Sequence, residues 1–121
     1  MQYKHFLLSE FDSPDLPGSG AKYMNREFLD MLDYAADICK LQFIIIEGFR
    51  TKKENLRLCG ASNNSHLVGK AVVLQCKSAN KRYKMIAALL ESGITRIGIS
   101  RDQKSIYCDS DDLKKDMIWL Y

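Results

Sequence analysis

Two short stretches hold the residues whose types and spacing could make a chemical site. In Asn63-Asn64-Ser65-His66-Leu67-Val68-Gly69-Lys70-Ala71-Val72-Val73-Leu74, a loop of small polar residues hands a single histidine to an apolar strand. Gly69 lets the backbone pass close to a neighbour there. The second stretch, Ile106-Tyr107-Cys108-Asp109, adds a phenol and a carboxylate. An imidazole that titrates near neutrality moves protons or binds metal, and a carboxylate orients it or shares the metal. Ser65 stands next to His66 in sequence, but adjacency does not make a serine–histidine pair in space, and no third orienting group is evident. His5 and the cysteines Cys39, Cys59, Cys76 and Cys108 form neither a Cys-x-x-Cys pair nor a metal-like cluster with His66.

Read as words, these stretches resemble the zinc D,D-peptidases that cleave D-alanyl-D-alanine and related peptidoglycan cross-links. In that family the first reads like Ser-His-Leu-x-Gly-x-Ala-x-Asp and the second like Ile-His-Val-Asp. The resemblance continues in order along the chain. Ser9-Glu10-Phe11-Asp12-Ser13-Pro14-Asp15 with Pro17-Gly18-Ser19-Gly20 is similar to the opening of small phage-type members. Glu47-Gly48-Phe49-Arg50-Thr51 resembles a Ser-Gly-Tyr-Arg-Thr turn, and Glu54-Asn55 stands where the family has His-Asn. Gly60 to His66 and the run Ala88 to Ile99 follow in register.

The resemblance implies the hedgehog/D,D-peptidase fold and a zinc held by His, Asp and His, with a fourth position open for the attacking water. Carried over, the three ligand positions are His66, Val73 and Tyr107. Valine has no lone pair, and a phenol with an ordinary pKa of about 10 would have to deprotonate to bind zinc well. One imidazole alone gives weak, unselective affinity, so the expectation is no bound metal and no cofactor. The resemblance further implies a cleft lined by Arg50, Ser65, His66, Tyr107 and Asp109, with Arg50 meeting carboxylate or carbonyl groups of a ligand.

The elements that must position these residues read as α+β: one domain over residues 1–121, with a central antiparallel sheet and helices packed on one side. Residues 1–8 read as a short edge strand or lead-in, and Ser13 to Gly20 as a turn-rich loop with no regular element. A helix capped by Asn25 carries Phe28, Leu29, Leu32, Ala35, Ala36 and Cys39 on one face. Leu41 to Ile46 is expected to be a central strand. Thr51-Lys52-Lys53-Glu54 reads as a capping box that opens a short helix to Leu58 and sets Arg50 just before its start, with Glu47 at a strand end paired to Arg50. Lys70 to Cys76 reads as a strand. A helix capped by Ser78 follows, with a core stripe of Tyr83, Ile86, Ala87 and Leu90, closed by Gly93. Thr95 to Ser100 and Ser105 to Asp109 form a hairpin, whose alternation puts Tyr107 and Asp109 on the cleft face and Ile106 and Cys108 on the core face. Asp109 would then accept a hydrogen bond from Tyr107 or His66. The tail Met117-Ile118-Trp119-Leu120-Tyr121 is expected to dock on the sheet.

Composition narrows the partners. Eighteen basic against fifteen acidic residues leave a net charge of +3, with the basic residues scattered among acids, which favours neither nucleic acid nor a membrane surface. No run approaches a membrane span, and the N-terminus lacks the pattern of a signal peptide, so a cytoplasmic location, that of a phage-infected bacterium, is expected. The cysteines read as reduced thiols. The functional expectation is a degenerate D,D-peptidase-like module that binds a peptidoglycan stem peptide or a protein without catalysis. The alternative is an active cell-wall metallopeptidase using an altered ligand set of His66, Asp109 and Glu47.

Overall fold

A computed structural model describes residues 3–121 as an α+β domain. The elements run α1 (Ser19–Tyr23), α2 (Arg26–Cys39), β1 (Ile45–Glu47), α3 (Lys52–Arg57), β2 (Ala71–Gln75), α4 (Ala79–Glu91), β3 (Arg96–Ile99), β4 (Ser105–Asp109) and β5 (Met117–Leu120), with 3-10 turns at Leu8–Phe11 and Ser65–Val68. The strands form one sheet in the order β1-β2-β4-β3-β5. Neighbours are antiparallel except for β3 and β5, which run parallel.

The caps fall where short polar side chains can take up free helix amides. Asn25 accepts from the Phe28 amide at 2.9 Å, Thr51 from Glu54 at 3.0 Å and Ser78 from Lys81 at 3.3 Å. Phe28, Leu29, Leu32, Ala35 and Ala36 of α2 are fully buried and join Met85, Ala88 and Leu89 of α4 in one core. That core lies against Val72, Leu74, Ile97, Ile106 and Cys108 of the sheet. The register explains the division. Val72 pairs with Cys108, which pairs with Ile97, while Leu74 pairs with Ile106, so the rows facing the helices are apolar across the three central strands.

Several elements differ from the sequence expectation. Residues 1 and 2 lie outside the described residues, and residues 3–7 form no strand, so of the two expectations the lead-in fits them; the tail forms the edge strand β5 beside β3. A short helix begins at Ser19, inside the stretch expected to be irregular. Leu41 to Ile46 yields only the three-residue β1 at the sheet's edge, where Ile44 and Ile46 face solvent. The Glu54 carboxylate does not complete a capping box: it takes a bidentate contact from Arg57 at 2.7 and 2.6 Å, because guanidinium geometry fits a carboxylate better than one amide does. In α4 the buried stripe is Met85, Ala88 and Leu89, whereas Tyr83, Ala87 and Leu90 are exposed and Ile86 is half-buried. All four cysteines are free thiols. Among the described residues no helix is long and apolar enough to cross a membrane.

Candidate functional site

The face of the sheet turned away from the helices carries the cross-strand row that lines the cleft. Glu47 of β1 is in register with Val73 of β2, Val73 with Tyr107 of β4, Tyr107 with Gly98 of β3, and Gly98 with Trp119 of β5. An irregularity between Ile45 and Glu47 shifts the register of β1. Such a bulge re-aims the side chain beyond it, and here Glu47 lines the same cavity as Val73.

His66 reaches that row from the 3-10 turn Ser65–Val68. Asn64 caps the turn by accepting from the His66 amide at 2.9 Å, and Gly69 leaves it with φ at +70°. A side chain at Gly69 would also collide with the Tyr23 carbonyl oxygen, 2.2 Å from where a Cβ would sit, so the turn requires glycine on both counts. Asn55 fastens the preceding loop by donating to the Gly60 and Ala61 carbonyls.

The imidazole is 2% exposed. Its Nδ1 lies 2.7 Å from the Gly48 carbonyl oxygen, which can only accept, so Nδ1 carries the hydrogen and Nε2 presents a lone pair to the cleft. Burial pushes the imidazole pKa below its ordinary value, with the neighbouring Arg50 acting in the same direction, and the ring is neutral at pH 7. Glu47 Oε2 lies 3.9 Å from Nε2. That oxygen is held by Arg50 Nη2 at 2.9 Å, and Arg50 Nη1 donates to Asn55 at 3.1 Å.

The Tyr107 ring packs edge-on against His66, with centroids 5.6 Å apart. Its hydroxyl donates to Asp109 Oδ2 at 2.5 Å. Burial, then the hydrogen bond to Asp109, raise the phenol pKa far above its usual value, so the ring stays protonated. Asp109 is fully buried, and its other oxygen accepts from Arg96 Nε at 2.8 Å and from the Asp111 amide at 3.1 Å. Every lone-pair direction of this carboxylate that matters is filled by a donor.

His66, Val73, Tyr107, Arg50 and Ser65 therefore line one cavity of about 350 Å³, together with Glu47 and Asn63. Asp109 lies on the same sheet face but behind Tyr107, where it borders a second cavity. Residues of the tail also enter the first cavity. Lys114 donates to Ser65 Oγ and to the Asn63 carbonyl, both at 3.0 Å, and Ser65 Oγ donates to Asp111 at 2.8 Å. Trp119 sits 5.5 Å from Tyr107, centroid to centroid, with the Arg96 guanidinium 5.1 Å from its ring. Sequence reading took the tail only as apolar cover. The signal for its role is the i, i+2 spacing of Trp119 and Tyr121, which puts both rings on one face of a strand.

These donors do not fit a three-ligand zinc site. Of the three positions that converge, His66 offers one nitrogen, Val73 offers nothing, and Tyr107 offers a protonated hydroxyl already spent on Asp109. Asp109 is paired with Arg96, so the altered set of His66, Asp109 and Glu47 is not assembled in this arrangement. Among the described residues no group of three or more His, Cys, Asp or Glu is placed to hold a metal ion.

Comparison with known proteins adds one match. A family model described as Peptidase M15 matches residues 10–109. No curated protein matches the chain significantly.

Proposed function

We propose, from the premise that this chain belongs to the peptidase M15 family of zinc D-alanyl-D-alanine carboxypeptidase-like proteins, that it is a non-catalytic binding module. On this reading the peptidase cleft is kept and its metal chemistry is not. The observation that carries it is the hydrogen bond from Tyr107 to Asp109. At the third ligand position the ring packs against His66 while its hydroxyl closes on a buried carboxylate that is itself held by Arg96. A polar group already satisfied in the protein has little to offer a metal or a reacting carbonyl.

The ligand would be a peptidoglycan stem peptide or a protein segment, and small phage-type members of the family suggest a phage or prophage setting. A second reading rests on a separate observation, the Glu47 carboxylate 3.9 Å from the free nitrogen of His66. An active cell-wall peptidase with the altered ligand set of His66, Asp109 and Glu47 would require Glu47 to leave Arg50 and Asp109 to leave Arg96.

Elemental analysis separates the two. The protein is dialysed against excess zinc and then against metal-free buffer. The binding-module reading expects no retained zinc, whereas about one zinc per chain would support the peptidase and send the work to peptidoglycan cleavage assays. Val73→Asp with Tyr107→His is the positive control. Because the two residues are register partners beside His66, the double variant should retain about one zinc per chain, and either single change should retain far less. A folded double variant without zinc would undermine the assignment of the three positions.

A further inference from the structure

We infer that the cleft takes a neutral saccharide, its pyranose ring laid on Trp119 and Tyr121 and its hydroxyls met by Glu47 and Asn63. The inference rests on the binding-module reading and puts a saccharide in place of the peptide as the ligand.

The charges of the cleft decide against an ionic ligand. Arg50 is engaged by Glu47 and Asn55, and Lys114 by Asn63, Ser65 and, at 3.4 Å, Asp111. A carboxylate-ended peptide would need a cation these contacts do not leave free. A cationic ligand would need Glu47, which already neutralises Arg50. What remains is uncharged and largely aromatic.

The aromatic floor exists because of Gly98. A Cβ there would lie 2.9 Å from Tyr121 Cδ1 and 3.1 Å from Trp119 Cε2, so the missing side chain is what lets both rings lie against the sheet. Tyr107 flanks them, 5.5 Å from Trp119 and 6.5 Å from Tyr121 between centroids. Around this floor stand polar groups: the Glu47 carboxylate, 37% exposed, Asn63, and the Tyr121 hydroxyl paired with Ser105 at 2.6 Å. Aromatic rings bordered by hydrogen-bonding groups complement a pyranose, which has C–H groups on its face and hydroxyls at its edge. The cavity of about 350 Å³ falls in the range of small-ligand sites. Trp119 and Tyr121 lie beyond residues 10–109, the segment that the peptidase family model matches.

Trp119 is the sole tryptophan, so its fluorescence reports the site directly. The titrants are three neutral trisaccharides, of N-acetylglucosamine, of β-linked glucose and of α-linked glucose, and separately a peptide ending in D-alanyl-D-alanine. At least one trisaccharide should shift the emission saturably, with an affinity unchanged by added salt because no charge contact is involved. Tyr121→Leu and Gly98→Ala, each checked for folding by circular dichroism, should each weaken it about tenfold or more, since buried aromatic anchors dominate such sites. If the peptide binds and no trisaccharide does, the saccharide inference fails while the binding module stands. If neither binds, both fail. Saccharide binding that survives both substitutions would place the ligand elsewhere and overturn the inference.

Discussion

The two faces of the sheet are built from the same five strands and obey different rules. On the helix side the central rows are Val72–Cys108–Ile97 and Leu74–Ile106, apolar and closed under α2 and α4. On the other side the row Glu47–Val73–Tyr107–Gly98–Trp119 mixes a carboxylate, a branched aliphatic, a phenol, a glycine and an indole. The helix face is constrained by volume, because a packed interior tolerates neither gaps nor excess. The cleft face is constrained by the pairing of its polar groups. Residues at metal positions can therefore change without unfolding the protein, provided each new polar atom finds a partner, and Tyr107 finds Asp109.

Truncating one residue on each face is the sharpest way to break this contrast. Ile106→Ala opens a cavity beside Leu74 in a site with no solvent access and should cost about 2–5 kcal/mol. Val73→Ala, one residue before the register partner of Ile106 and so on the half-buried cleft wall, should cost about 1 kcal/mol or less, since water can enter the space it leaves. Urea denaturation of both variants measures the difference. Equal losses would mean that Val73 is a core residue and that the cleft is not an independent face.

The faces were not equally legible in the sequence. Helix caps could be read because each depends on one short polar side chain before a periodic run, as at Asn25 and Ser78. The burial of Ile106 and Cys108 followed from strand alternation. The stripe of α4 was misplaced because Ile86 and Leu90 repeat at the same spacing as Met85 and Leu89, and period alone does not choose between two adjacent apolar rows. Leu41 to Ile46 has the composition of a central strand, but composition does not say how many neighbours a strand will find. At the site, the resemblance to the zinc D,D-peptidases is what pointed to His66, Val73, Tyr107, Arg50 and Ser65, whose convergence depends on β2–β4 register and a loop held by Asn55. The contribution of Lys114, Trp119 and Tyr121 required knowing that the tail pairs with β3, a contact across sequence that no local pattern encodes.

A smaller effect tests the pairing rule on the cleft face. Tyr107→Phe keeps the ring against His66 and Trp119 but removes the hydroxyl that Asp109 Oδ2 accepts from. The carboxylate is fully buried and would keep only its contacts to Arg96 and the Asp111 amide. A loss of about 1–3 kcal/mol in urea denaturation is expected, the range for leaving a buried acceptor short of a partner. No loss would mean that Asp109 does not depend on the phenol, and the stated reason for Tyr107 occupying a former ligand position would fall with it.

The smallest effect is a pH dependence. His66 is buried as the neutral tautomer and its pKa is lowered by burial, so the folded protein resists the proton that the unfolded chain binds near pH 6.5. The sign follows: the stability associated with His66 is fully present above that pH and declines as pH falls below it, towards the depressed folded value. Protonation would set an imidazolium near the Arg50 cation, which adds to the cost of burial, while the Glu47 carboxylate relieves part of it, and burial dominates. His66→Gln removes the titration while keeping an amide that can donate to the Gly48 carbonyl. The urea midpoint of the native protein should fall more between pH 7.5 and pH 5.5 than that of His66→Gln, the interval being set to bracket the ordinary imidazole pKa of about 6.5. Parallel curves would show that the ring accepts a proton in the folded state without penalty. His66 would then be a charged group facing Glu47, and the cleft would no longer be the neutral surface that the saccharide inference requires.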